Sequence, residues 1–392
     1  FVQRAQAIAP AFAPTAAMLA DIQAICRRLD CLPLAIELIA AHIDLFSPQV
    51  MLTRLKDRGL DLLEDGPGDA PERHRTLRKA IYRSYALLSP EEQQLFRTLG
   101  VFVGGFDLEA VVGLGYAEQT LQALVNRSMV QIEAHLDSEP RGLLLETLRE
   151  YAREQLVAHQ ELAAVQQQHA DYFLACIESG GNIATQNGQL AWLSSTERNL
   201  ENIQAALAWT IEQRDVEKAL RFIIASQSFW SEIDRHSGML GQYQAVIRLA
   251  DEEWAIVPVL LTGQIDPDLR RRIDLLAHGL LCTGEAALSF EWDVQVATEL
   301  VQRSALLDRM TGVKEVTLLI LLRFAIIARL TYQYERMAEL CNEVLDLLPS
   351  VVEINGWNHK RIKLRTLEFL SICAMDRNDV AQHESLSNQM LP

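Results

Sequence analysis

The sequence predicts a mainly α-helical chain: a short helical subdomain, a winged helix-turn-helix with a small β-hairpin, then a TPR-like (tetratricopeptide-like) α-solenoid. Three observations predict it. Apolar residues recur at i, i+3, i+4 and i+7 over most of the 392 residues. Only two short β-like runs, 129–133 and 142–145, interrupt them, with a turn-forming Asp137-Ser138-Glu139-Pro140 between. From residue 160 onward helical stripes alternate with short polar turns, although the TPR period of about 34 residues is poorly kept.

Taken in order, Ile22, Ile25, Cys26 and Leu29 mark one face of a first helix. Asp30-Cys31-Leu32-Pro33 breaks it, and Pro33 suits the first turn of a new helix, where its missing N–H is no loss. Residues 34–45 are so apolar that this helix should be buried on most sides. Ser47-Pro48 repeats the start signal for a third helix through Leu55. Residues 1–63 thus read as a helical subdomain, and the Gly-, Pro- and charge-rich run 64–75 as a linker.

Residues 76–157 read as the winged helix. Leu77, Ile81, Tyr85 and Leu88 form one stripe, and Ser89-Pro90-Glu91-Glu92 is a capping box with Pro at the first helical position. Gly104-Gly105 makes a turn between Phe102 and Phe106, and Asp107 is placed to cap a short helix. The recognition-helix candidate, 117–126, contains no Lys or Arg. DNA docking needs phosphate contacts and base-reading side chains, so no direct nucleic-acid binding by this segment is expected. Residues 158–392 read as the helical-repeat sensor domain, with helices expected at 161–178, 189–194, 197–213, 215–234, 238–251, 268–287, 291–310, 313–332, 335–348, 359–376 and 379–389.

Charge and composition narrow the function. There are 36 Lys and Arg against 52 Asp and Glu, a net charge of −16. That sign disfavours non-specific binding to nucleic acid or anionic membranes. The apolar run 316–327 is broken by Arg323 and is too short to span a bilayer. The six cysteines show no Cys-x-x-Cys pair and fit buried free thiols in a reducing cytoplasm. The scattered histidines give no metal-ligand spacing, and no Gly-x-Ser-x-Gly nucleophile elbow occurs. Arg270-Arg271-Arg272 sits among Asp266, Asp268 and Asp274, as on a solvated helix start. The six tryptophans are expected to pack between helices, with a ligand or peptide groove as the alternative for some of them.

Three stretches carry a family resemblance. The run from Ile25 to Leu38, containing Leu32-Pro33-Leu34-Ala35, resembles the GLPLA segment of the signal-transduction ATPases with numerous domains (STAND), with Cys31 where glycine is usual. Arg75 to Glu92 together with Phe102 to Phe106 resembles the family's winged-helix entry, and Leu143 to Glu154 its exit helix. Within the family, the stretches resemble bacterial LuxR-type, AfsR/MalT-like regulators especially. The resemblance implies a segment lying C-terminal to an NB-ARC-like nucleotide-binding core, with Leu32, Pro33 and Leu34 on the adenine side of ATP or ADP held by that upstream domain. From the residues alone, Pro33 reads as a helix-starting proline with no ligand. Glu146 occupies the neighbourhood of the family's Met-His-Asp motif, whose histidine reads a phosphate. Here Leu145 stands in the histidine's place and cannot donate to phosphate, so Glu146 reads as a helix cap.

No Gly-x-x-x-x-Gly-Lys-Ser/Thr run exists in the sequence, so it is not expected to be an enzyme or to hold a cofactor by itself; ATP or ADP belongs to the full-length protein. The sequence starts at Phe1 rather than Met, which predicts a piece of a longer chain. The expected function is the regulatory and sensor segment of a STAND-type transcriptional regulator. An inducer or protein ligand would bind the repeats, the winged helix would swing about 64–75, and the nucleotide state and self-association would change. The alternative is a helical-repeat interaction scaffold without nucleotide dependence.

Overall fold

The structure, a computed structural model, describes residues 1–9, 12–29, 36, 39, 40, 43, 46–58, 81, 82, 84–133, 140–180, 186–230, 239–256, 265–291, 293–351 and 359–390. The expected helix over 34–45 lies mostly outside these residues, and the linker 64–75 together with Leu32, Pro33 and Leu34 lies wholly outside them. The chain divides into two compact units, Phe1–Tyr172 and Phe173–Pro392.

In the first unit α1 (Val2–Ile8) precedes α2 (Ala16–Arg28), whose N-terminus is capped by Thr15 accepting from the Met18 N–H. Ile22 and Ile25 bury the expected face of α2. The Ser47-Pro48 signal opens α3 (Pro48–Arg58), with the Ser47 hydroxyl accepting from the Val50 N–H and Met51 and Leu55 buried. α2 and α3 pack together.

The winged helix follows. α4 (Pro90–Leu99) begins with the expected capping box: the Ser89 hydroxyl takes the Glu92 N–H and the Glu92 carboxylate takes the Ser89 N–H. α6 (Glu118–Asn126) packs on it and on α5 (Leu108–Gly113), and α7 (Glu146–Ala158) packs against α4. Tyr85, Phe96 and Tyr151 form the aromatic centre, with ring centroids 5.7–6.5 Å apart. β1 (Gln131–Glu133) and β2 (Arg141–Leu143) pair antiparallel, Ile132 opposite Gly142. Phe106 bridges Gly142 from the other side, so the wing has a third edge.

Asp107 stands at the cap position of α5 but makes no cap hydrogen bond. Its carboxylate accepts instead from Arg141 Nη1 at 3.1 Å, while other Arg141 nitrogens donate to the Gly104 and Gly105 carbonyls. A buried guanidinium with no carboxylate would cost more than a missing cap, so the ion pair wins. Gly105 sits at φ +93°, and a side chain there would meet Leu143 at 2.6 Å.

The second unit is built of helices. α8 (Leu162–Ser179), within which the division falls, leads to α9 (Gln186–Arg198), α10 (Leu200–Glu212), α11 (Val216–Trp230) and α12 (Leu240–Trp254). Then come α13 (Pro267–Ala286), α14 (Val294–Thr311), α15 (Lys314–Leu330), α16 (Tyr334–Leu347), α17 (His359–Asp376) and α18 (Val380–Met390). α9 runs well beyond the expected 189–194, because Trp192 and Thr196 both find buried sites despite its polar sequence. Helices pack on their neighbours in sequence, α13 on α14, α15 on α16 and α17 on α18, whereas α11 packs most on α13. Alternate helices also touch, α13 with α15 and α15 with α17, which is the arrangement of stacked helical repeats.

Small residues let the helices approach: Ala325, Ala328, Ala338 and Ala374 share one core with Phe369, Leu370, Cys341 and Cys373. A polar thread crosses three helices. Arg323 of α15, 1% exposed, pairs with Glu285 of α13, which also accepts from Gln227 of α11 at 2.7 Å. Trp192 and Trp209 are buried, as expected; Trp292 and Trp357 lie outside the described residues.

Candidate regulatory site at the Arg28 junction

Two stretches that the sequence singles out separately meet at Arg28. The last turn of α2 carries Arg27 and Arg28, where positive charge suits the carbonyl end of the helix. Arg28 Nη2 donates to Glu150 Oε1 of α7 at 2.8 Å, and Nη1 lies 3.9 Å from Glu146 Oε1. Its Nε donates to the Leu55 carbonyl of α3 at 3.3 Å. One guanidinium therefore ties α2, α3 and the exit helix of the wing together.

Glu146 is the first residue of α7, and the cap position belongs to Leu145, which makes no side-chain hydrogen bond. The expected capping by Glu146 gives way to a two-pronged contact with Arg149, at 3.0 Å to Nε and 2.8 Å to Nη2. Its charge still favours the amide end of the helix. Burial pushes the Glu150 carboxyl up to about 7, with Glu146 and Glu154 adding to the rise and Arg28 and Arg149 opposing it. Desolvation here outweighs the ion pair.

These residues do not fit a nucleotide phosphate. The Leu145 side chain offers no donor, and Glu146 and Glu150 present like charge to an anion. The adenine-side residues Leu32, Pro33 and Leu34 lie outside the described residues.

The winged-helix segment is acidic on balance. Residues 88–157 hold 5 arginines, no lysine and 11 Asp and Glu. Four of the five pair with carboxylates within the unit: Arg97 grips Glu161 at 2.7 and 2.9 Å, Arg141 holds Asp107, Arg149 holds Glu146, and Arg127 lies 3.5 Å from Glu92. α6 presents Glu118, Gln119, Gln122 and Asn126 to solvent. Beside it runs a groove of about 520 Å³ lined by Leu108, Leu121, Val125, Ile132, Glu109 and Glu118 among others.

The class these elements define is the winged helix-turn-helix. Residues 88–157 match the family model described as a winged helix-turn-helix domain. Among curated proteins, the chain is 36% identical over 238 residues to proteins named as HTH-type transcriptional regulators in Mycobacterium tuberculosis and Mycobacterium bovis, covering 59% of this chain and 26% of theirs. An uncharacterized Mycobacterium tuberculosis protein is 36% identical over 174 residues, covering 42% of this chain and 44% of its own length. The chain thus spans about a quarter of the length of the first of these relatives. Among solved structures, a STAND protein with a tetratricopeptide repeat sensor from Pyrococcus horikoshii is similar at 14% identity and a TM-score of 0.30, covering 90% of this chain and 58% of that one. That superposition is too loose to define a fold, which rests on the elements above.

Among the described residues no helix is long and apolar enough to cross a membrane.

Proposed function

We propose that the chain is the regulatory and sensor segment of a STAND-type transcriptional regulator of the LuxR-type, AfsR/MalT-like kind. The observation that carries the reading is the Arg28 junction, where the GLPLA-like stretch and the exit helix of the wing share one guanidinium. In this reading the stacked helices take an inducer or a protein ligand, and the winged helix transmits the change to the helical subdomain. Ligand binding shifts a population only through contacts that differ between two states, and the Arg28–Glu150 pair is a contact that such a shift would break. The run 64–75 would serve as the strap about which the two parts swing.

Nucleotide exchange and any ATPase activity are assigned to an NB-ARC-like domain outside this sequence, and this chain is read as non-enzymatic and free of cofactor. The longer protein would work in the cytoplasm and self-associate when switched on. The winged helix is read as a packing and relay module without nucleic-acid contacts, because four of its five arginines already pair with carboxylates and its α6 carries no Lys or Arg.

The test is a transcriptional reporter driven by the intact regulator. Arg28→Ala, and separately shortening of residues 66–71, should change output and nucleotide exchange while circular dichroism stays native. Unchanged output and exchange in both variants would overturn the coupling. An output that responds to ligand but not to nucleotide would favour the alternative, an interaction scaffold.

A further inference from the structure

A groove of about 590 Å³ opens between α13 and α15 in the helical repeats, within the size range of small-molecule sites. One wall descends α13 by single turns: Arg270 and Arg271, then Asp274, then His278. The facing wall from α15 is apolar, Val316 and Leu319, with Glu315 at its lip. Two polar atoms on the α13 wall are shut off from water and have no hydrogen-bond partner, Asp274 Oδ1 and His278 Nε2. On α14, Asp308 Oδ1 and Thr311 Oγ1 are in the same condition. A sequestered carboxylate oxygen without a donor is costly, and a donor that reaches it, an ordered water or the N–H of a bound group, relieves that cost.

The two arginines are anchored rather than loose. Arg270 Nη2 donates to the Thr311 carbonyl, and Arg271 pairs with Glu217. Each guanidinium carries five N–H donors, so both remain able to receive an anion at the groove while held in place. Positive charge, negative charge and a neutral imidazole thus follow one another along one wall, opposite a greasy one. Burial and the nearby Arg323 hold the His278 imidazole neutral, down to about 4, so it serves as a hydrogen-bonding group rather than a cation.

We propose that this groove binds a small zwitterion of amino-acid or short-peptide chemistry with an apolar side chain, its ammonium on Asp274 and its carboxylate on Arg270 and Arg271. The apolar side chain lies against Val316 and Leu319. The assignment deepens the sensor reading above by naming the chemistry of the inducer.

Calorimetric titration of the whole 392-residue chain with four probes tests it: leucine, leucyl-leucine, N-acetyl-leucine and leucinamide. Leucine or leucyl-leucine should bind below about 1 mM. N-acetyl-leucine, which lacks the ammonium, and leucinamide, which lacks the carboxylate, should bind at least about tenfold more weakly. Asp274→Asn should lose a similar factor while its circular dichroism remains native. Should that variant fail to fold, the four probes on the native chain decide alone. Absence of heat with all four up to about 10 mM, or blocked probes binding as tightly as the zwitterions, overturns the proposal. That result removes this ligand chemistry and leaves the Arg28 coupling to stand or fall on its own reporter.

Discussion

Glu150 sets the sharpest test at the scale of single residues. Its carboxyl titrates near 7 in the folded chain and near 4.5 when unfolded, because burial disfavours the charged form. Between those values the folded state holds the extra proton, so stability is greatest at the acidic end and falls as pH rises toward 7. Glu150→Gln removes this slope. Thermal unfolding followed from pH 5 to 8 should show the variant gaining on the native chain by on the order of 2 kcal/mol. His278 tilts the other way. Its folded value is depressed, so it adds stability above about 6.5 that is lost as the pH falls toward 4. The two opposing slopes are separated by the single variant. Little of this was legible in the sequence: Arg28 and Glu150 lie 122 residues apart, and no periodicity links them. Glu146 was visible from its motif position, yet its partner was not.

At the scale of elements, start signals were easy to read and stop signals were not. Ser89 and Ser47 cap where expected, and α13, α15 and α17 begin and end within a few residues of the ranges that apolar spacing gives. The helix ends follow a rule that composition hides. Ser128, Gln160, Arg214, Tyr332 and Asn378 all adopt φ between 56° and 59°. In each case the next amide reaches back to a carbonyl five residues before, as in Gln333 to Ala328 at 2.7 Å and Asp379 to Ala374 at 2.9 Å. This is the Schellman closure, which usually recruits glycine. None of these five positions holds one, so the usual marker was missing. Asp215 and Asp379 then cap the helices that follow, accepting from the Lys218 and Gln382 amides. A bulky residue in the left-handed region is strained. Tyr332→Gly should therefore raise stability by about 1 kcal/mol, read as a higher urea midpoint with unchanged slope. A lower midpoint would mean that the Tyr332–Tyr334 ring contact outweighs the strain.

At the scale of the whole molecule, the fold class was legible because hydrophobic spacing and turn chemistry act locally, while the sites required contacts that only folding brings together. The groove of α13 and α15 joins residues some forty positions apart, and the Arg270–Arg271–Arg272 run that looked merely solvated supplies part of its wall. Net charge carries the clearest whole-chain expectation. With −16 overall and four of the wing's five arginines paired with carboxylates, the chain should show no retention on a double-stranded DNA column even at about 50 mM salt, where phosphate attraction is strong. Retention that declines steeply with added salt would restore a DNA-reading role to the winged helix.

The thread from Gln227 through Glu285 to Arg323 has a mechanical meaning. In a row of helices where each member leans on those beside it, a tilt of one joint is inherited by all that follow, as the pitch of a coil spring changes when one turn is wedged. A charge locked across three turns makes the joints stiff in unison, so a small wedge near α13 would be felt as displacement at the ends of the row rather than as local softening.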